Sequence, residues 1–571
     1  MHYTSRTVYE YVSQQTNDPI IQWKICTVSG TEFPITQSDL DFYNKISPTF
    51  GDQKFAIPTP TLCPEERQRR RLSFRNERKL YKRKCDLTSK DIVSIYNPDK
   101  PYKVYDQSVR RWDSRDPMDY GRDFDFSKSF TEQFGDLMKE VPKSNNANTK
   151  CEKSEYIMSS NMTNSSYMSS LIATSENILY SHCLARCNNL SDSEYSVYCD
   201  FWYWLINCTK CNNCFYCINC EDSSSLMWCT DCISCEFCIN CVNLIHKKYY
   251  INNISYTKEE YMKKTVWYDY NLWNIYKNQY NINTKSCFWN RINSWSESVF
   301  CYNIGISADS CKYINISWKI TRSYDVYRAY WGLELWYESI YLWWYKNIYW
   351  CDCIWWKNNI YIIDCNDCSD CFWCIWLRNK SYCIFNKQYT KEEYEVQVAT
   401  IISHMQATGE RWEFFHPSLS PFGYNETVAQ EYFPLVKGEL ESVWYHRSDY
   451  SSDPVIPVGA VLIHRREYDD TQWKALRDDP QHSILKSIVI CEVSGRPFVI
   501  QWAELKFYLQ HDIALPSKHP DVRHEERMKL RPGRTLFLRS CDQCSSEMLS
   551  VYDHHVGRVY CESCYQKKIY G

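Results

Sequence analysis

From about residue 155 to 390, aromatic or β-branched pairs recur beside a cysteine or a turn residue. Examples are Val197-Tyr198-Cys199, Phe215-Tyr216-Cys217, Val299-Phe300-Cys301 and Ile360-Tyr361-Ile362. Asn, Asp and Ser fill the intervals, and the rough period of about 10–11 doubles to 21. Short strands broken by turn residues at constant spacing predict coils stacked into a parallel β-solenoid.

Cysteines sharpen the pattern. Cys208, Cys211, Cys214, Cys217 and Cys220 fall at every third position, and Cys229, Cys232, Cys235, Cys238 and Cys241 repeat the series at one constant offset. Cys220, Cys232, Cys235, Cys238 and Cys241 return downstream, again all at one offset, as Cys353, Cys365, Cys368, Cys371 and Cys374. A strand alternates its faces every two residues, so a spacing of three demands a corner between successive thiols. Two accounts of the thiols stand side by side. They are small filler for a narrow interior, or they form a metal or iron–sulfur array; runs of five without a bounded four-ligand site favour filler. Both long units close alike, with Tyr256-Thr257-Lys-Glu-Glu260-Tyr261 and Tyr389-Thr390-Lys-Glu-Glu393-Tyr394. These are capping boxes, predicted to start helices that cover the open solenoid edge.

The two ends of the chain read as copies of one module. Ile25-Cys26-Thr-Val-Ser29-Gly matches Ile490-Cys491-Glu-Val-Ser494-Gly. Pro64, Arg67, Arg71, Leu80, Arg83, Cys85 and Asp86 match Pro520, Arg523, Arg527, Leu536, Arg539, Cys541 and Asp542. The C-terminal copy carries Cys541-x2-Cys544 and Cys561-x2-Cys564, two knuckles that place four thiolates on one Zn²⁺. Such a site is closed and structural, and one zinc is expected. The N-terminal equivalents are Cys85, Thr88, Asp106 and Val109, so no zinc is expected there. Each copy has an incomplete upstream set, Cys26, Ser29, Cys63 and Glu66 in one, Cys491, Ser494, His519 and Val522 in the other. Cys26 with Cys63, and Cys491 with His519, could hold a metal weakly; the favoured reading is metal-free remnants.

Arg67, Arg69, Arg70, Arg71, Arg75, Arg78, Lys82 and Arg83 crowd one basic stretch, with Leu72, Phe74, Leu80 and Tyr81 as an apolar stripe. A basic amphipathic helix there would suit a phosphate backbone; the plainer reading is a solvated helix face. Formal net charge is only −3 over 571 residues, so no global polyelectrolyte character points to nucleic acid or membrane. No apolar run of membrane-spanning length and no secretory leader is evident. The 32 cysteines therefore fit a reducing cytoplasm. No catalytic residues are identifiable, and no carboxylate cluster suggests a glycosidase.

Residues 151–395 hold 17 of the 23 tryptophans but only Gly305 and Gly332. Turn-rich structure normally draws on glycine for positive φ. Two readings stand: the source reads UGA as glycine and many of these tryptophans are glycine in the native protein, or the tryptophans form a real aromatic ladder on the solenoid surface.

The runs Tyr81-Lys-Arg-Lys-Cys85-Asp, Pro98-Asp-Lys-Pro-Tyr-Lys-Val-Tyr105, Asp119-Tyr-Gly-Arg-Asp-Phe-Asp-Phe126 and Ser381-Tyr-Cys-Ile-Phe-Asn-Lys-Gln-Tyr389 resemble uncharacterised cysteine-rich zinc-ribbon proteins of uncultivated candidate-phyla bacteria. The resemblance spans nearly the whole chain. It implies glycine near Trp373 and Trp376, recoding of UGA in some lineages, and further knuckle cysteines where this chain has Thr88 and Asp106. It brings no established activity.

The sequence thus predicts a mainly β protein. A central parallel β-solenoid over 151–395, in two repeats of about 151–265 and 268–395, is flanked by two homologous small α+β zinc-ribbon-like modules at 1–150 and 486–571. An aromatic connector fills 396–485. The predicted function is a non-enzymatic zinc-binding scaffold with a protein or nucleic-acid partner. The alternatives are a nucleic-acid-binding protein acting through the basic stretch, and a multi-metal or redox cysteine protein.

Overall fold

The computed structural model describes residues 2–110, 116–264, 275–277, most strand residues of 298–353, 354–410, 413–451, 453, 456–464, 483–511, 513–531 and 533–569. The Trp202 side chain and most side chains of 275–357 fall outside that description, and so do Cys353 and Gly305.

The solenoid is present, and its coil is longer than the period read from the sequence. Parallel pairing runs Asn161↔Ala173, Ser170↔His182, Glu194↔Ile206, Asp200↔Asn212 and Ser224↔Glu236. Partners stand at a sequence separation of 12, the same separation that joins Ile172 to Ser160 inside the tube. The reason lies in the backbone. Every third residue from Lys150 to Asn252 has positive φ, for example Asn207 at 56°, Lys210 at 48° and Asn213 at 52°. Each left-handed residue turns the chain, so a coil has four three-residue sides. The residue after each corner points inward, which is why the cysteines recur at three. The offset between the two cysteine series preserves the inward position but is not the stacking distance.

The narrow tube creates a hydrogen-bonding demand. Two of every three N–H groups join the inter-coil ladder, as Glu155 N–H does with Ser166 C=O at 3.0 Å and Ser165 N–H with Glu152 C=O at 3.1 Å. The third, on the inward residue, points into the tube. It is met by the inward side chain one coil earlier: Ile172 N–H donates to Ser160 Oγ (3.3 Å), Cys187 N–H to Ser175 Oγ (3.0 Å), Cys235 N–H to Ser223 Oγ (3.0 Å) and Leu226 N–H to Cys214 Sγ (3.3 Å). Cysteine and serine are therefore more than filler. They are the smallest side chains able to accept that N–H, and a buried N–H left alone costs about 1–3 kcal/mol.

Asparagines seal the open ends. At the start, Asn146 Nδ2 donates to Ile157 C=O (2.6 Å) and Asn148 Oδ1 accepts from Ser160 N–H (3.1 Å), as a preceding coil would. At the far ends, Asn253 and Asn386 act alike. Val242 N–H donates to Asn253 Oδ1 (2.9 Å), and Ile375 N–H to Asn386 Oδ1 (2.8 Å). Short antiparallel strands follow, and then the two helices Lys258–Lys263 and Lys391–Ala407, both with the predicted capping boxes. The longer helix buries Tyr394, Val398, Ile401, Ile402 and Met405.

The chain divides into two compact units. One comprises residues 1–145, 276–448 and 533–565; the other comprises 146–275, 449–532 and 566–571. In the first, Phe42, Phe130, Phe134, Ile401 and Phe415 share a core with Ile360 and Phe372 of the second solenoid repeat. A separate core joins Val8, Val12, Phe33 and Ile35 to Leu536, Leu549 and Val551. In the other unit Leu505, Tyr508 and Val522 pack on Leu179 and Tyr203 of the first solenoid repeat.

Trp204, Trp228, Trp373 and Trp376 all occupy left-handed corners, with φ of 61°, 55°, 55° and 66°. That backbone costs a side-chain-bearing residue about 1–2 kcal/mol and glycine nothing. Trp373 and Trp376 are also buried, with indole N–H groups that have no hydrogen-bond partner among the described residues. Peptide mass spectrometry of protein from its own host separates the two readings: glycine at 373 and 376 under recoding, tryptophan there if the aromatic ladder is real. Asn386→Ala is expected to lower stability by about 3 kcal/mol, and Asn253→Ala, at an exposed end, by about 1 kcal/mol, in urea titrations.

Candidate metal centre and two buried arginine clamps

The strands Phe537–Ser540 and Glu547–Ser550 form an antiparallel hairpin. Its turn bends back through Ser545 N–H to Cys541 C=O (2.8 Å), with Ser545 at φ 59°. This bend brings Cys541 and Cys544 to one side. The strand Arg558–Tyr560 delivers Cys561, and the helix Glu562–Ile569 carries Cys564. Ligand atoms of all four cysteines lie within 4.8 Å of one another. Backbone N–H groups already point at the sulfur of Cys541, from Gln543 (3.5 Å) and Cys561 (3.3 Å). Hydrogen bonds with Ser546 pull the Cys544 thiol down to about 6, and the hydrogen bond with Cys544 pushes Cys564 up to about 12, so the proton is shared out unevenly among neighbouring thiols. The four predicted ligands are thus brought together, in an arrangement that could hold one metal ion with no position left over.

The N-terminal copy keeps the knuckle and lacks the ligands. Ser89 N–H donates to Cys85 C=O (2.8 Å), Val104 N–H to Asp86 Oδ2 (2.6 Å) and Asp106 N–H to Cys85 Sγ (3.3 Å). These mirror the bonds of Ser545, of Val559 N–H to Asp542 (2.7 Å) and of Cys561. Thr88 and Asp106 stand where Cys544 and Cys561 stand in the other copy. Cys63 and Ser29 hold the Cys26 thiol down at about 5, while burial first and then Cys26 push Cys63 up. Glu66 is drawn away into an ion pair with Arg69. His519 caps the Pro520–Lys529 helix through Nδ1, which accepts Asp521 N–H (3.1 Å). Among the described residues no other group of three or more cysteine, histidine or carboxylate ligands comes together.

The solenoid thiols are engaged with backbone. Cys208 Sγ donates to Ile206 C=O (3.5 Å), Cys211 to Thr209 C=O (3.1 Å) and Cys374 to Cys383 C=O (3.4 Å). Burial pushes Cys211 and Cys229 up, whereas hydrogen bonds with neighbouring thiols pull Cys187 and Cys232 down.

The basic stretch is not one exposed helix. The helix covers Pro64–Leu72 and ends there; Tyr81–Lys84 is a strand. Arg67, Arg69, Arg70, Arg71 and Arg75 are 1–6 % exposed. Arg78 and Arg83 are half-buried, and only Lys82 of the predicted set is exposed. Two of the solenoid's corner acids explain the burial. Arg67 Nε lies 2.8 Å from Asp325 Oδ2, and Arg71 Nη2 donates to Asp325 Oδ1 (3.1 Å). Arg70 donates to both oxygens of Glu338 (3.0 Å each) and to Glu413 (2.9 Å). A surface for phosphates is therefore absent from this helix; its cations are spent on carboxylates of its own chain.

The C-terminal module makes the same clamp on the other repeat. Arg523 and Arg527 hold the two oxygens of Asp192, Arg527 at 2.7 Å. Asp192 and Asp325 are related by the same offset that carries Cys220 to Cys353. His524 Nδ1 lies 2.6 Å from Glu194 Oε1, and Arg527 Nε 3.3 Å from the same oxygen. Glu504 accepts from Tyr180 (2.7 Å) and Tyr508 (2.8 Å). Asp192, Glu194, Asp325, Glu338 and Glu504 were not singled out by sequence reasoning. The signal was there in the matched Arg-x3-Arg pairs and in the offset between the repeats, which place equivalent arginines and equivalent acids in both halves.

No family model matches the chain, and no curated protein matches it in sequence.

Burial alone would raise the Glu194 carboxyl, but the charges of His524 and Arg527 outweigh it and hold it well below its ordinary 4.5. Its contribution to stability is therefore full above pH 4.5 and is lost as pH falls through the lowered folded value. The stability gap between the natural chain and Glu194→Gln is expected to shrink as pH falls below about 4.5, read by urea titration at each pH. A gap independent of pH would contradict the pairing.

Proposed function

We propose that this protein is a non-enzymatic, zinc-binding scaffold. The four-cysteine group at 541–564 carries the reading. An all-thiolate set of four, with backbone N–H groups aimed at sulfur, suits tetrahedral Zn²⁺ better than hard oxygen-loving cations. A fully occupied thiolate set leaves no place for a water or substrate, so the ion serves the fold. The hairpin, knuckles and ligand spacing support reading the C-terminal module as a zinc ribbon and the N-terminal one as its metal-free relative.

Each solenoid repeat supplies an ordered surface for a protein partner. Burial of the arginines weighs against nucleic acid as that partner. Thiols bonded to backbone carbonyls weigh against a redox or multi-metal array. Twenty-seven free cysteines among the described residues, most of them buried, fit a reducing compartment such as the cytoplasm. Among the described residues no helix is long and apolar enough to cross a membrane.

Elemental analysis of the purified chain is expected to find about one zinc per molecule. Cys541→Ser and Cys564→Ser should each remove it. A strong chelator should raise amide exchange within 537–565 while the solenoid stays protected. Several metals per chain, a visible chromophore, or zinc retained in both variants would defeat the proposal.

A further inference from the structure

The two clamps share one pair and differ in another. The shared pair is Arg-x3-Arg on a corner aspartate: Arg67 and Arg71 on Asp325, Arg523 and Arg527 on Asp192. The second acid sits differently in each. In the second repeat it is Glu338, stacked one coil beyond Asp325, since Tyr324 pairs with Tyr337 and Val326 with Ser339. In the first repeat it is Glu194, which follows Asp192 closely along the same coil.

The helices read this difference with residues that do not correspond. Arg70 takes Glu338, and the equivalent position in the C-terminal helix is Glu526. His524 takes Glu194, and the equivalent position in the N-terminal helix is Gln68. Glu526 is turned to Lys518 (2.6 Å), outside its own clamp. All four acids of the two clamps are essentially inaccessible to water, at 0–1 % exposure. Mismatches there are severe, because a buried carboxylate without a cation, or facing another carboxylate, is not screened by solvent.

We infer that the two terminal modules are keyed docking elements, each specific for one solenoid repeat of this chain, and that Arg70/Glu338 and His524/Glu194 are the keys. The C-terminal helix on the second repeat would set Glu526 against Glu338. The N-terminal helix on the first repeat would leave Glu194 facing Gln68, with only the shared Arg71-type contact. The shared pair gives attraction, and the second pair gives choice. The partner each helix fits is thus a solenoid coil with two carboxylates in one defined arrangement, and not a phosphate backbone.

The test transplants one key in the full-length chain. Gln68→His with Arg70→Glu gives the N-terminal helix the C-terminal key and keeps Arg67 and Arg71. Hydrogen exchange read by mass spectrometry is expected to rise about a hundredfold over 64–72 and to stay unchanged over 520–529. Adding Glu338→Arg to that variant is expected to recover at least about tenfold of the lost protection, although the Glu413 contact of Arg70 stays lost. Full protection of 64–72 without the third substitution, or no recovery with it, overturns the inference. If the double variant unfolds, seen as lost protection at 520–529 as well, Arg70→Gln provides the milder reading. It is expected to raise exchange over 64–72 about tenfold, and no rise there overturns the inference equally.

Discussion

The structure depends on one unsatisfied group per triplet. A coil of four three-residue sides turns at a left-handed residue every third position, and the residue after each corner aims its N–H at the axis. No neighbouring strand can reach it. The inward side chain one coil earlier must be small enough for the tube and polar enough to accept. Serine and cysteine meet both conditions, and their hydrogens return to nearby carbonyls, as with Ser160 and Met158 C=O at 3.0 Å. The interior is thereby a lattice in which side chain and backbone close each other's bonds, and this accounts for the cysteine content without invoking metal or redox chemistry.

The tube offers the attached modules apolar and aromatic side chains, among them Leu179, Tyr180, Ile360 and Phe372, and its corners carry Tyr, Phe and Trp as well as Asn, Asp and Ser. The attached modules use aromatic contacts on one face, Tyr508 against Tyr203 and Phe130 against Tyr361, with a buried arginine–carboxylate pair at the centre of each clamp. Buried pairs are costly to desolvate and give little net stability, but they punish a wrong register strongly. In a repetitive support where successive coils look alike, such punishment fixes which coil is gripped.

The module duplication was legible in the sequence because its signals are local. Cys85 and Cys541, a proline at the start of a helix and Arg-x3-Arg recur at one constant offset, and each records a short stretch of backbone. The solenoid class was legible from recurrence, but not its coil length. Successive inward cysteines reveal the three-residue side, whereas nothing along the chain says how many sides close a turn. That number depends on backbone hydrogen bonds between successive coils, which carry no side-chain signature. The basic stretch misled for the related reason that a charge reads as solvent-facing until its partner is known. Asp325 lies 254 positions from Arg71, and Glu338 lies 268 positions from Arg70.

By itself, then, the sequence determined the four-thiolate group, the repeat, the capped helices and the equivalence of the two ends, since each is written in residues close together along the chain. Tertiary structure alone decided the length of the coil, the burial of the arginines and the pairing of each module with its own repeat. Those rest on contacts between distant residues, where an isolated charge or thiol has no meaning until the fold supplies the group opposite it.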